Sequence, residues 1–186
     1  MAQPVPRRAT YADLAALPDH VVGELVAGEL HASPRPAARH AATRSALGVE
    51  LGGPFWKGRG GPGGWIILDE PELHLGPDVL VPDLAGWRRT RLPELPDAAA
   101  LTLAPDWIAE VLSPSTARLD RVGKLPAYAR EGVAHVWLLD PLTETLEVFR
   151  LDGGRFTLAL TAGGDAAVLA EPFNAIELSL AALWAR

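Results

Sequence analysis

The stretch from Trp107 to Leu139 limits most strongly how this chain can fold. It begins with Trp107-Ile-Ala-Glu-Val-Leu112, apolar on both faces apart from Glu110. Ser113-Pro-Ser-Thr-Ala117 follows, with a serine N-cap and a proline suited to the first helical position. The pattern then predicts a helix to about Arg130, stopped before Gly132, and a second strand, Val133-Ala-His-Val-Trp-Leu-Leu139. Strands apolar on both faces are covered by a layer on each side, and strand, helix, strand is the order of a β-α-β unit. The expected class is therefore α/β, and 186 residues lie within the range of one domain.

The remaining elements are read around that unit. Thr10 caps a short helix, Tyr11 to Ala16, which Pro18 stops. Val21 to Leu30 reads as a hairpin turning near Ala27-Gly28, and Arg35 to Leu51 as a helix with Pro36 in its first turn and Gly52-Gly53 at its end. Gly58 to Gly64 is a flexible loop; no Gly-Lys-Ser/Thr follows to make it a phosphate cradle. Trp65 to Leu68 and Val79 to Ala85 are strands, Pro82 marking the second as an edge or an ending. Leu92 to Pro105 reads as loop. Leu146 to Leu151 and Arg155 to Leu160 form a hairpin through Asp152-Gly153-Gly154, followed by a strand near Ala167 and a helical turn, Leu180 to Trp184. One domain spanning residues 1–186 is expected, the first nine residues being a flexible tail.

Several chemistries are excluded. With no cysteine there is no disulfide, thiolate metal site or cysteine nucleophile, which suits a reducing cytoplasm. The histidines at 20, 31, 40, 74 and 135 show no zinc spacing, and no Gly-x-Ser-x-Gly, dinucleotide or kinase motif occurs. No stretch approaches the roughly 20 apolar residues that span a bilayer, so no membrane association is expected. The net charge of -6 runs against a nucleic-acid partner, but the positive charges are clustered: Arg35, Arg39, Arg44, Lys57 and Arg59; Arg88, Arg89 and Arg91; Arg118, Arg121, Lys124 and Arg130. A local basic face on an acidic protein is compatible with that pattern.

Two carboxylates carry the chemistry. Glu110 in its apolar strand faces a desolvation penalty of several kcal/mol unless it is paired or bound to a cation. Asp83 stands similarly in Val79 to Ala85. Taken singly, each has an ordinary structural reading, Asp83 as the start of a turn and Glu110 as the partner of a buried arginine. Together, at the ends of neighbouring strands, they are oxygen ligands placed for a hard cation such as Mg²⁺. Lys124 follows on the next helix, either turned toward these acids or paired at the surface with Asp120, four residues earlier. Asp120, Arg121, Lys124 and Tyr128 share one polar face, with Leu119, Val122 and Leu125 as the packed side.

These residues resemble a family. Val81-Pro-Asp-Leu84, Ala109-Glu-Val-Leu-Ser-Pro-Ser-Thr116, Asp120 with Lys124, Tyr128-Ala-Arg-Glu-Gly-Val133 and Val136-Trp-Leu-Leu-Asp-Pro141 are similar to the Uma-two family of restriction-endonuclease-like proteins. Gly23-Glu-Leu-Val-Ala-Gly-Glu-Leu30, Ser33-Pro34 and His40 resemble its opening. The resemblance runs from about Thr10 to Trp184. It implies a PD-(D/E)XK core, a mixed central sheet flanked by helices, here with an added C-terminal hairpin. Asp83 and Glu110 would be the metal ligands, Glu24 an acidic residue contributed from the N-terminal region, and Lys124 the catalytic lysine. The superfamily usually carries its lysine two residues after the glutamate, where this chain has Leu112. Ala27 replaces a frequent aspartate, and Pro126 interrupts the helix soon after Lys124. His40 is given a minor role.

The function so implied is a Mg²⁺- or Mn²⁺-dependent endonuclease acting on nucleic acid, DNA in first place, as a possible homodimer in the cytoplasm. The competing reading is a catalytically inactive module that keeps the fold for binding or regulation. A third is a hydrolase of small phosphate esters, favoured by a narrow pocket over a groove.

Overall fold

The structure is a computed structural model and describes residues 7–184. Helix α1 (Tyr11–Ala15) precedes β1 (Val21–Val26), β2 (Glu29–Pro34), α2 (Ala38–Leu51) and a wide π-type turn, Gly52–Trp56. Then come β3 (Trp65–Asp69), β4 (Glu72–Leu75), β5 (Asp78–Leu80), β6 (Leu84–Arg88), the short β7 (Ala100–Leu101) and β8 (Trp107–Val111). A second π-type stretch, Leu119–Lys124, continues as α3 (Leu125–Arg130). The chain closes with β9 (His135–Asp140), β10 (Thr145–Asp152), β11 (Arg155–Gly163), β12 (Ala167–Val168), β13 (Leu178–Ser179) and a tight helical turn, Leu180–Ala182. Among the described residues no helix is long and apolar enough to cross a membrane.

The central sheet has six strands in the order β11-β10-β9-β8-β6-β3. Only β8 and β9 run parallel, joined by the helical crossover through α3, so the sheet is mixed. A five-stranded sheet, β2-β1-β5-β4-β7, packs on one side of it. Strand parity explains the layering, because alternate side chains point to opposite faces. Trp107, Ala109 and Val111 of β8 join Leu47 and Leu51 of α2, Phe173 and the C-terminal segment in one apolar cluster. Ile108 and Leu112 join Leu73, Leu75 and Leu80 of the smaller sheet and Tyr128 of α3 in the other. Trp107, Trp137 and Trp65 meet the ring of Phe173 at centroid distances of 4.9, 5.7 and 4.8 Å. A Cβ at Gly86 would meet the rings of Trp107 and Trp65 at 3.1 and 3.4 Å, so glycine lets those rings lie across β6.

The β1–β2 hairpin turns through Ala27 and Gly28, whose φ angles of 54° and 84° fit the left-handed two-residue turn of tight hairpins. Alanine rarely takes that conformation, and an aspartate would tolerate it better. The Ala27 N–H donates to Asp78 Oδ1 at 2.8 Å.

Four expectations are corrected. Val79 to Ala85 is not one strand: the chain breaks at Val81-Pro82-Asp83, β5 pairing in the smaller sheet and β6 in the central one. Proline, which cannot donate to a ladder, marks the break. Strand β4 lies where no strand was expected, and β7 interrupts the Leu92 to Pro105 loop. Helix α2 begins at Ala38 rather than Arg35, and Gly52-Gly53 opens a further turn instead of ending the helix. The helix after β8 is rotated from the expected setting: Asp120, Lys124 and Tyr128 are buried and Val122 is 64% exposed, while Leu119 and Leu125 still pack partly against the core as expected. Of the expected tail, residues 1–6 lie outside the described residues; Arg7 pairs with Asp13 at 2.7 Å and the Ala9 N–H donates to Gly28 at 2.9 Å.

Candidate active site

Asp83 directly precedes β6, whose Leu84 lies opposite Ala109 of β8, so the register sets Asp83 beside Glu110 and Val111. Its Oδ2 accepts the Val111 N–H at 2.7 Å. That bond fixes the carboxylate at the strand end and leaves lone pairs for another partner. Glu110 has the parity of Ile108 and Leu112, away from the tryptophan layer, and is 2% exposed. Its Oε1 accepts the Tyr128 hydroxyl at 2.6 Å.

Lys124 reaches the same place from the helix. Its Nζ stands 2.9 Å from Glu24 Oε1, 3.3 Å from Glu110 Oε1 and 3.3 Å from Asp120 Oδ1. Glu24 comes from β1 and also accepts the Val81 N–H at 2.8 Å. The approach depends on Gly123: a Cβ there would come within 2.9 Å of Leu119 Cδ1 and 3.2 Å of Val26 Cγ1, blocking the contact with β1. The π-type stretch, Leu119–Lys124, ends just before Pro126, so the register change falls where proline cannot donate a helical hydrogen bond. Lys124 consequently points inward.

All four residues expected to form the site, Glu24, Asp83, Glu110 and Lys124, thus line one open cleft of about 360 Å³. His40 joins them, with Nε2 3.4 Å from Asp83 Oδ2, and Arg44 lies 3.8 Å from Asp83 Oδ1 while pairing with Asp69 and Glu70. Sequence reasoning treated Asp120 and Tyr128 as one helical face without giving them a part in the site. Their four-residue steps about Lys124 were the available signal, misread because a polar stripe on a helix more often faces solvent.

The electrostatics are those of a carboxylate-rich pocket with too few cations. Burial pushes the Glu110 carboxyl well above the usual range; Lys124 draws it down, and Asp120, Asp83 and Glu24 raise it further. Asp120 is likewise raised by burial, against Lys124. Burial lowers the Lys124 ammonium, but Glu110, Glu24 and Asp120 overcome it and hold its pKa well above normal, so it is charged at neutral pH. Burial also lowers His40, and Asp83 more than restores it.

Among the described residues no group of three or more histidine and acidic side chains is arranged to hold a metal ion. Asp83 and Glu110 nevertheless fit a Mg²⁺ ion chemically, since that ion keeps several waters and takes one or two carboxylates. Glu24, Glu110 and Asp120 share the single ammonium of Lys124, and their excess of negative charge suits a further cation.

Tyr128→Phe removes the donor to Glu110 without opening a cavity. It is expected to lower stability by about 1–3 kcal/mol, the range for a buried acceptor left without its donor, read from the urea unfolding midpoint. An unchanged midpoint would show that the bond contributes nothing net.

A mixed sheet with an acidic pair at adjoining strands, reached by a lysine from the following helix, is compatible with a restriction-endonuclease-like protein. The chain belongs to the Uma2 (Uma-two) family, described as "Putative restriction endonuclease", whose profile matches residues 9–181. The crystal structure of a "putative nuclease belonging to DUF820" from Anabaena variabilis has the same fold: the TM-score is 0.77 at 23% identity, covering 95% of this chain and 97% of that one. No curated protein matches the chain.

Proposed function

We propose that this chain is a single-domain, metal-dependent endonuclease that hydrolyses phosphodiester bonds of nucleic acid, DNA in first place, with Mg²⁺ or Mn²⁺ as cofactor. The observation that carries the reading is the meeting of Asp83, Glu110, Lys124 and Glu24 in one open cleft from four separate parts of the chain. Asp83 and Glu110 would hold the cation, which when bound polarises a phosphate oxygen and lowers the pKa of an attacking water. Val111 fixes Asp83, and Tyr128 and Lys124 fix Glu110, so both acids are oriented before substrate arrives. The Lys124 ammonium lines the cleft, balanced by Glu24, Glu110 and Asp120, and would be released to steady the developing negative charge once a bound cation takes over part of that carboxylate charge. A cytoplasmic site of action suits the lack of cysteine. A homodimer would give one cleft to each strand of a duplex.

The test is a calorimetric titration of Mg²⁺ and of Mn²⁺ into the wild type, Asp83→Asn and Glu110→Gln, followed by a nuclease screen over DNA and RNA with and without EDTA. Saturable binding in the wild type, lost in both variants, is expected, with affinity rising with pH because the cation must displace a proton favoured on Glu110. No binding in the presence of nucleic acid would favour the inactive module instead. The enclosure of Lys124 by three carboxylates is the feature that supports that second reading.

A further inference from the structure

The cleft does not end at its acids. A second cavity of about 360 Å³ adjoins it, and Val22, Arg35, Pro36 and Glu70 line both. The lysines and arginines lining the two are Arg35, Arg44 and Lys124. Lys124 is taken up by Glu24, Glu110 and Asp120, and Arg44 by Asp69 and Glu70. Arg35 is exposed and, among the described residues, has no acidic partner. It is therefore the one lysine or arginine of this trough whose charge is not already neutralised.

A guanidinium presents paired donors that match two oxygens of a phosphate, and Arg35 has its whole fork free for them. The need is physical. The floor of the cleft is acidic and the whole chain carries a net charge of -6, so an approaching polyanion meets repulsion unless a cation holds it at the rim. Resting on the nuclease reading, we propose that Arg35 anchors the phosphate of the nucleotide flanking the point of cleavage, the strand running from the cleft across Arg35 into the second cavity. Pro36 and Val22 then line the passage between the two, and the second cavity becomes the subsite for the neighbouring nucleotide.

The test is fluorescence anisotropy of short labelled single-stranded DNA, duplex DNA and RNA with the full chain over a range of salt, Ca²⁺ replacing Mg²⁺ to hold turnover back. Arg35→Ala should weaken binding about tenfold, as for a lost charge-assisted hydrogen bond. It should reduce the slope of log affinity against log salt by about 0.7 on a single strand or 0.9 on a duplex. In turnover, KM should rise while kcat stays. Arg35→Lys should recover the salt slope and only part of the affinity. Arg155→Ala, an exposed arginine of the β10–β11 hairpin that lines neither cavity, should bind as the wild type. If Arg35→Ala binds with unchanged affinity and slope while the wild type cleaves, the anchor is refuted and the nuclease reading stands. If the wild type neither binds nor cleaves any of the probes, the nuclease reading falls and the anchor with it.

Discussion

Asp83→Asn is expected to reduce phosphodiester cleavage by about a thousandfold or more, the scale of a lost metal-held electrostatic stabilisation, while the melting temperature moves by only a few degrees. The separation of the two effects follows from what Asp83 touches. Its structural bond is the acceptor to Val111 N–H at 2.7 Å, and the amide oxygen of asparagine can accept that bond in the same rotamer. Its charge is what asparagine lacks. Arg44 still has Asp69 and Glu70, so removing the distant contact at 3.8 Å leaves no unpaired buried guanidinium. Glu110→Gln should lose activity comparably but disturb stability more, because Glu110 also faces Lys124 and Tyr128 inside the protein. The measurements are single-turnover cleavage of labelled DNA and RNA together with thermal melts. An Asp83→Asn protein that melts normally and cuts at the wild-type rate would remove Asp83 from the chemistry.

How much of this was legible in the sequence depends on which physical constraint each part expresses. The β8-helix-β9 unit could be read because strands apolar on both faces have few alternatives, and the β10–β11 hairpin because Gly153-Gly154 suits a tight two-residue turn. Asp83 and Glu110 stood out as charges embedded in apolar runs, and strand register alone brings them together. The break at Val81-Pro82-Asp83 was only half visible: proline announced an ending, but that the halves join different sheets is a fact of tertiary pairing. The direction of Lys124 was left open, and the part of Asp120 and Tyr128 was hidden, for a related reason. Helical spacing says that they share a face, and nothing local says whether that face meets water or a second sheet. The answer came from β1, whose Glu24 lies a hundred residues before Lys124 and supplies its shortest contact. Arg35 was visible only as one member of a basic cluster; its freedom from acids needed every neighbouring ion pair to be placed.

Lys124→Met is expected to destabilise the protein by about 3–5 kcal/mol near neutral pH, the usual result of removing one partner from a buried ionic group. For a chain of this size that is a fall of roughly 10 °C in melting temperature. Methionine fills much the same volume, so the effect arises from charge: Glu24, Glu110 and Asp120 lose the ammonium they share. The pH dependence identifies the cause. In the wild type, burial already raises Glu110 and Asp120 above their ordinary values of 4.5 and 3.8, and Lys124 is the neighbour that most opposes this. Without it both pKa values rise further. A carboxyl with a folded pKa above its unfolded one holds its proton more tightly when folded, so its contribution is full below the unfolded pKa and is lost as pH rises toward the folded one. The deficit of Lys124→Met against wild type should therefore be small near pH 4 and grow toward neutrality. The wild type keeps its own lysine contribution through that window, since the raised Lys124 pKa places its loss only above the ordinary value of 10.5. Urea unfolding of both proteins from pH 4 to pH 8 measures the difference. A deficit of equal size at every pH would assign the loss to packing, and no deficit at all would mean that the three carboxylates do not depend on Lys124.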